Sequence, residues 1–358
     1  MRVYLHIPFC HRICPYCSFY KHTPGSTPIG EFVDRLVTEA RKRLTRPPRS
    51  LYLGGGTPSM LSPAHLGKLF GGLAEVIDFS QLDDLTLEAN PATFDLAKAK
   101  RFRELGVRRV SLGIQSFNSP VLATLGREHT PAEAEESVRI LRQAGLESVN
   151  IDLMFSIPGL SLSDWRQTLE SAIALEPDHI SAYNLTYEED TAFFESLHRG
   201  ELDRDEDRDA EQFHLADELL AAAGFEHYET SNYARPGHRS RHNQGYWDGE
   251  DYLGLGPSAV STLKNERSSN VSDTARYVRM IDQLGHATVD SETLSPDQLR
   301  LERIALQLRT RDGVPLELLD PSKLPSLIDS GLGEIRDDRF ALTRKGSALV
   351  DPIAAELA

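Results

Sequence analysis

Apolar residues are distributed along the first half of the chain in two alternating rhythms. Short runs rich in Val, Ile, Leu and Tyr predict strands over residues 2–7, 50–53, 85–89, 110–115, 149–155 and 180–185. Between them the apolar positions recur at helical spacing. Residues 30–44 put Phe32, Val33, Leu36, Val37, Ala40 and Leu44 on one face. Residues 63–77 follow Ser62, a good N-cap, and begin with Pro63. Residues 95–105 stop at Gly106, and residues 131–144, opened by Thr130, stop at Gly145. A further helix over 162–175 is expected to start near Ser163.

Six strand–helix units in series predict an α/β fold with a parallel sheet and right-handed crossovers. A closed barrel takes about eight such units, so the expectation is an open, partial (β/α)6 TIM-like barrel. Active sites on such sheets sit at the C-terminal strand ends. The rhythm changes near residue 195. Residues 199–211 are dense in charge and are expected to form a solvated connector into a helix over 211–223. Residues 226–234 suggest one more strand. From Leu294 onward helices alternate with short turns, and 334–342, with Asp337-Asp338 at its centre, reads as a hairpin before a last helix. The expected organisation is a barrel core over 1–195, a continuation and connector over 196–290, and a small winged-helix-like domain over 291–358.

Charge narrows the partners. The 358 residues carry 54 acidic against 39 basic side chains, a net charge of −15, which repels phosphate backbones and argues against generic nucleic-acid binding. One local basic patch stands out, Arg235, His238, Arg239, Arg241 and His242. No run of about 18 apolar residues suggests a membrane span, and the N-terminus lacks a secretory pattern, so a cytoplasmic location is expected. The three cysteines all fall within residues 10–17, an odd number without secretory context, which argues against a disulfide framework.

Those cysteines form Cys10-His-Arg-Ile-Cys14-Pro-Tyr-Cys17 directly after the first strand. Three thiolates on one tight loop can hold three irons of a [4Fe–4S] cube and leave the fourth iron open, since the chain has no fourth cysteine. Structural zinc is the competing reading, with His6, His11 or His22 as fourth ligand. The Cys-x3-Cys-x2-Cys spacing, with Tyr16 before the last cysteine, resembles the radical-SAM signature. That resemblance implies S-adenosylmethionine chelating the free iron, and its reductive cleavage to a 5′-deoxyadenosyl radical by a cluster of very low potential.

Further residues fit the same site. Gly54-Gly55-Gly56-Thr57-Pro58 follows the second strand and resembles the glycine motif that holds the methionine moiety; alone, such a triplet is also an ordinary turn. Glu88, Gln115 and Asp152 stand in or at the ends of successive strands, and Arg127 precedes a helix. Together they would converge on the barrel mouth to bind ribose hydroxyls, adenine edges and a carboxylate. Alternatively some cap helices or pair with each other, and Asp152, flanked by apolar residues, is equally suited to a buried structural role. Tyr4 and Tyr16 would pack beside the cofactor or belong to the core.

Tyr4-Leu-His6-Ile-Pro-Phe-Cys10, Leu53-Gly-Gly-Gly-Thr-Pro-Ser59 and Gly113-Ile-Gln-Ser-Phe117 extend the match. Over nearly its whole length the chain resembles the oxygen-independent coproporphyrinogen III oxidase family, which contains the dehydrogenase itself and the HemW-type heme chaperones. Three features resemble the second group. Phe19 stands where the dehydrogenase has another cysteine. The first strand begins essentially at Met1, without that enzyme's N-terminal extension. His242-Asn-Gln-Gly-Tyr246-Trp247 matches the chaperone motif His-Asn-x-x-Tyr-Trp, and Tyr252-Leu-Gly-Leu-Gly-Pro-Ser-Ala259 continues the family pattern.

The resemblance implies a protein that binds heme and passes it to an acceptor hemoprotein, and that lacks coproporphyrinogen III dehydrogenase activity. An electron donor such as flavodoxin, ferredoxin or an NADH system is implied as well. His242, on a polar loop, would be an axial heme ligand, with Tyr246 and Trp247 offering flat apolar area. The plainer reading of that motif is a loop histidine bonded to backbone at a domain junction. His238, Arg239 and Arg241 would pair with heme propionates. The alternative function is radical oxidative decarboxylation of coproporphyrinogen III.

Overall fold

The computed structural model describes residues 1–357. Strands β1 (Arg2–Ile7), β2 (Ser50–Gly55), β3 (Asp84–Ala89), β4 (Arg109–Gln115), β5 (Ser148–Phe155) and β6 (His179–Asn184) lie side by side in chain order, all parallel. Their register stacks apolar positions, with Leu5 opposite Leu53, Leu51 opposite Leu85 and Val110 opposite Val149. Along each strand apolar residues alternate with polar ones, as Val3, Leu5 and Ile7 do with Arg2, Tyr4 and His6, so one face of the sheet is apolar and packed while the other carries the polar side chains. Helices α1 (Ile29–Arg43), α2 (Pro63–Leu73), α3 (Leu96–Glu104), α4 (Ser119–Thr124), α5 (Pro131–Ala144) and α6 (Leu162–Ala174) supply the cover.

Local chemistry fixes the helix ends. Thr130 and Glu133 form a capping box at the start of α5, and Gly145 ends it at φ 77°, the left-handed conformation that suits glycine. The cap of α6 is Ser161, whose side chain accepts from Asp164 N, two residues ahead of the expected Ser163.

Beyond β6 come α7 (Ala192–His198) and α8 (Glu206–Ala222). The expected solvated connector over 199–211 is therefore partly helical. Asp205 caps α8, and Glu206, Asp207 and Asp209 complement the positive end of its dipole, so the acids that read as solvated loop are helix-starting residues. The single strand expected over 226–234 is two, β7 (Glu226–Glu229) and β8 (Asn232–Ala234), paired antiparallel, with β8 also antiparallel to β6. Then α9 (Arg241–Trp247) leads to β9 (Tyr252–Leu255), which runs parallel to β1 on its free edge. Strands β10 (Val260–Leu263), β11 (Glu266–Asn270) and β12 (Thr288–Thr293) continue outward as an antiparallel meander, with α10 (Thr274–Leu284) between the last two.

Among the described residues this makes a twelve-stranded open sheet, ordered β12-β11-β10-β9-β1-β2-β3-β4-β5-β6-β8-β7. A buried carboxylate ties the added strands to the core. Glu39 of α1 accepts from Gly256 N at 2.8 Å, Asn270 Nδ2 at 2.8 Å and Tyr277 Oη at 2.7 Å, with Arg43 at 3.2 Å as its counter-ion. A buried charge needs such complete pairing to be tolerated.

A second core forms from Ile304, Leu308, Val314, Leu327, Phe340 and Ile353. It joins α11 (Pro296–Gln307), β13 (Val314–Pro315), α12 (Leu324–Asp329), β14 (Gly333–Arg336), β15 (Arg339–Leu342), α13 (Arg344–Ser347) and α14 (Val350–Leu357). The hairpin β14–β15 falls where one was expected, but the short strand β13 lies between the two preceding helices and two helices follow the hairpin where one was expected. Among the described residues no helix is long and apolar enough to cross a membrane.

Candidate functional site

The cysteine loop leaves the C-terminal end of β1. Two backbone pairs anchor it: Cys10 N donates to His22 O at 3.0 Å, and His22 N to Pro8 O at 2.9 Å. The glycine loop after β2 is bonded to the same strand end, Gly56 N to Ile7 O and Thr57 N to Phe9 O, both at 2.8 Å. This approach needs bare backbone. A β-carbon on Gly55, at φ 102°, would lie 2.5 Å from the His6 ring, and one on Gly56 would lie 2.7 Å from Ile7 O. The consequence is that Thr57 Oγ1 stands 3.6 Å from Cys10 Sγ.

Cys10, Cys14 and Cys17 share one cavity of about 480 Å³ with Gly55, Gly56 and Thr57. Tyr16, Glu88, Gln115, Arg127 and Asp152 line the same space. Eleven of the expected residues, from the loop after β1 and the ends of β2 to β5 among other segments, thus meet at the C-terminal edge of the sheet, in a cavity within the range of about 300–1,000 Å³ usual for ligand pockets. Tyr4 is not among the lining residues. Its ring stands 6.2 Å from that of Tyr52, and its hydroxyl is 3.1 Å from His6 Nδ1.

The electrostatics suit the binding of a charged group. Arg127 bonds Asn90 Oδ1 at 2.7 Å and Gly113 O, which sets its Nη1 3.8 Å from Cys14 Sγ. Burial pushes the Cys10 and Cys17 thiols up, so their ionisation needs positive charge of the kind a bound metal supplies. Burial also raises Glu88 to about 7, against the lowering hydrogen bonds from Tyr52 Oη at 2.8 Å and Gly55 N at 3.1 Å. Asp152 is raised by burial too, although Ser111 Oγ and Asn150 Nδ2 donate to it.

Gln115 is the informative side chain. Its Oε1 is buried without a partner, and its backbone holds φ 69°, the left-handed region. An orphaned buried acceptor costs about 1–3 kcal/mol, and strain of this kind concentrates at ligand sites. A donor on a bound ligand would satisfy it.

Of the three histidines a zinc site could use as fourth ligand, two are spent at both ring nitrogens and His11 keeps Nε2 open. His6 has both ring nitrogens engaged, by Tyr4 Oη and Tyr20 O; His22 likewise, by Thr23 O and Thr274 Oγ1; His11 pairs with Glu128 on the surface.

His242 is the main correction. It is not on a polar loop but inside α9, 1% exposed, at the opposite end of the sheet. Its Nδ1 is 2.8 Å from Ser50 Oγ and its Nε2 is 3.1 Å from Tyr246 Oη, while its ring stacks on Tyr52 at 4.9 Å. Burial lowers its pKa to about 3, so it stays neutral. Neither nitrogen is free for iron in this fold. His238, Arg239 and Arg241 line a separate cleft of about 370 Å³ at the N-terminal strand ends, with Arg108 and Arg109. Arg239 is paired with Glu226 at 2.7 Å.

Several lining residues were not singled out from the sequence: Tyr52, which holds Glu88; Asn90, which holds Arg127; and Tyr183 and Asn184 at the end of β6. Asn90 carried a signal, two residues beyond Glu88 at the same strand end. Tyr52 carried none, because its role depends on which face of β2 meets β3.

Comparison with known proteins agrees with this geometry. Residues 4–172 match the model of the radical SAM superfamily, and residues 294–349 that of the HemN C-terminal domain. The heme chaperone HemW of Bacillus subtilis is 32% identical over 363 residues, covering 97% of this chain and 96% of that one. HemW of Lactococcus lactis is 35% identical over 315 residues, covering 88% and 83%. The solved structure of the Escherichia coli coproporphyrinogen III oxidase HemN, a radical SAM enzyme, superimposes with a TM-score of 0.85, 23% identity and coverage of 99% and 89%; this likeness establishes the fold.

Proposed function

The chain belongs to the HemW family of heme chaperones within the radical SAM superfamily, and from that footing we propose that it binds heme and hands it to an acceptor hemoprotein, with a [4Fe–4S] cluster and S-adenosylmethionine held in the cysteine cavity. The observation that carries the cofactor part is the cavity wall itself: three thiols, the Arg127 guanidinium against one of them, and an unpartnered Gln115 acceptor across the same space.

Cys10, Cys14 and Cys17 would each ligate one iron. The bound cluster supplies a low-potential electron and one open iron for the amino and carboxylate groups of S-adenosylmethionine. Arg127 offsets thiolate charge at Cys14. The bare backbone at Gly55 and Gly56 admits the methionine moiety, with Thr57 steadying Cys10. Glu88, Gln115 and Asp152 offer oxygen acceptors to the nucleoside hydroxyls and amine, and Tyr16 keeps water from the thiols. Electrons would come from a flavodoxin, a ferredoxin or an NADH system, in the cytoplasm.

Chaperone is preferred to dehydrogenase because the relatives named as heme chaperones match over most of both chains. Phe19, at the mouth and 67% exposed, stands where the dehydrogenase pattern has a cysteine. The test is anaerobic reconstitution followed by two parallel assays. Hemin uptake, with transfer to an apo-hemoprotein followed at the Soret band, is expected. Coproporphyrinogen III supplied with S-adenosylmethionine and a strong reductant is expected to remain unchanged; its conversion to protoporphyrinogen would overturn the preference.

A further inference from the structure

Between Cys10 and Cys14 the loop presents a histidine for which the cluster has no use. The His11 side chain is 77% exposed, and its Nδ1 lies 2.8 Å from Glu128 Oε2. An ionised carboxylate can only accept, so Nδ1 carries the proton and the neutral ring's lone pair is on Nε2. A histidine oriented through Nδ1–H by a carboxylate, with Nε2 open, is the usual preparation of a metal ligand. Among the described residues one other histidine places Nδ1 on a carboxylate, His227 on Asp217 at 3.1 Å, and its Nε2 is spent on Thr230 O. His11 Nε2 has no protein partner.

His11 opens on a groove of about 370 Å³ that adjoins the cysteine cavity, shares Arg12, Cys14, Asn90 and Arg127 with it, and also carries Glu128 and Glu133. Met60, Pro91 and Ala92 give it an apolar side. Ala92 holds φ 61°, a left-handed conformation that costs a residue with a β-carbon about 1–2 kcal/mol. Arg12 lines the same groove, is exposed, and forms no ion pair among the described residues. One surface therefore offers an imidazole lone pair, a flat apolar wall and a free guanidinium.

We propose that this groove is the heme site, with His11 Nε2 as axial ligand to the iron, one face or edge of the macrocycle against Met60, Pro91 and Ala92, and Arg12 on a propionate. The inference rests on the heme-chaperone reading. A groove too small to enclose a porphyrin leaves part of it in solvent, which suits a protein that must give its heme away.

The experiment is titration of reconstituted protein with hemin, with resonance Raman of the ferrous form. Wild type should show an iron–imidazole stretch. His11→Ala should lose that band and bind heme at least about tenfold more weakly, a loss typical of a removed ligand or its support. Glu128→Gln should keep the band at lower frequency. His242→Ala should leave both band and affinity as in wild type. Iron and sulfide content reports that the cluster loop is intact in each variant. If His11→Ala keeps the wild-type spectrum and affinity, the assignment is overturned while the chaperone reading stands; if wild type takes up no heme, both are overturned.

Discussion

Residues expected to hold a cofactor lie at both ends of the central sheet, yet the two ends are built in opposite ways. At the C-terminal end, three thiols, an orphaned Gln115 acceptor and a left-handed backbone surround open space. At the N-terminal end, the His242 ring is 1% exposed and bonded at both nitrogens, with Tyr52 stacked on it. Gln115 keeps an acceptor open beside a cavity, whereas the His242 ring has no nitrogen left to give, although Trp247 Nε1 in the same helix and Ser148 Oγ are also buried without partners. Both regions are rich in chemistry-bearing side chains, so composition alone does not separate them.

The largest effect that follows is at the open end. Changing Cys10, Cys14 and Cys17 to Ser should abolish the charge-transfer absorbance of the reconstituted cluster, and any single change should remove most of it. Far-ultraviolet circular dichroism should stay at the wild-type level, because the thiols support no packing and all three are only partly buried. Retention of the cluster signal in the triple variant would erase the difference between the two ends.

The closed end should respond in the other currency. His242→Ala removes a fully buried ring and strands Ser50 Oγ and the Tyr246 hydroxyl, a loss of about 3–5 kcal/mol in stability. Cluster content and heme affinity should be those of wild type at temperatures where the variant is folded. Urea unfolding monitored by fluorescence, with the Soret titration run on the same sample, checks both halves. An unchanged midpoint together with lost heme binding would mean that α9 opens and that His242 is a ligand after all.

Much of this contrast was legible before the fold was known, but not all of it. The six parallel strands show themselves because apolar residues recur at every second position, as in Leu51 and Leu53 or Leu85 and Leu87, and their helices because caps such as Ser62 and Thr130 act within one turn. The meander β10–β12 stays hidden: Glu266–Asn270 and Thr288–Thr293 are mostly polar and partly or fully exposed, so no hydrophobic period announces them. The cysteines and the glycine triplet are readable because their spacing along the chain is itself the geometry. Glu88, Gln115 and Asp152 are readable because strand ends converge. His242 misleads because its surroundings come from distant segments: it is bonded to Ser50, 192 positions away.

A smaller effect separates the two ends by pH. Burial raises Glu88 at the open end from its ordinary 4.5 to about 7. Between those values the folded protein keeps a proton that the unfolded chain has released, so stability falls as pH rises through this window, by up to about 3 kcal/mol. At the closed end burial lowers His242 from 6.5 to about 3. There the unfolded chain binds a proton that the folded one refuses, so stability falls as pH drops below 6.5. Wild-type stability mixes the two slopes, and the difference between variant and wild type isolates one. Glu88→Gln, measured by urea unfolding without S-adenosylmethionine, should gain on wild type steadily from pH 4.5 to 7 and run parallel to it above. Parallel curves throughout would mean that Glu88 is already ionised in the empty cavity, held by Tyr52 and Gly55, and that the open end is as complete as the closed one.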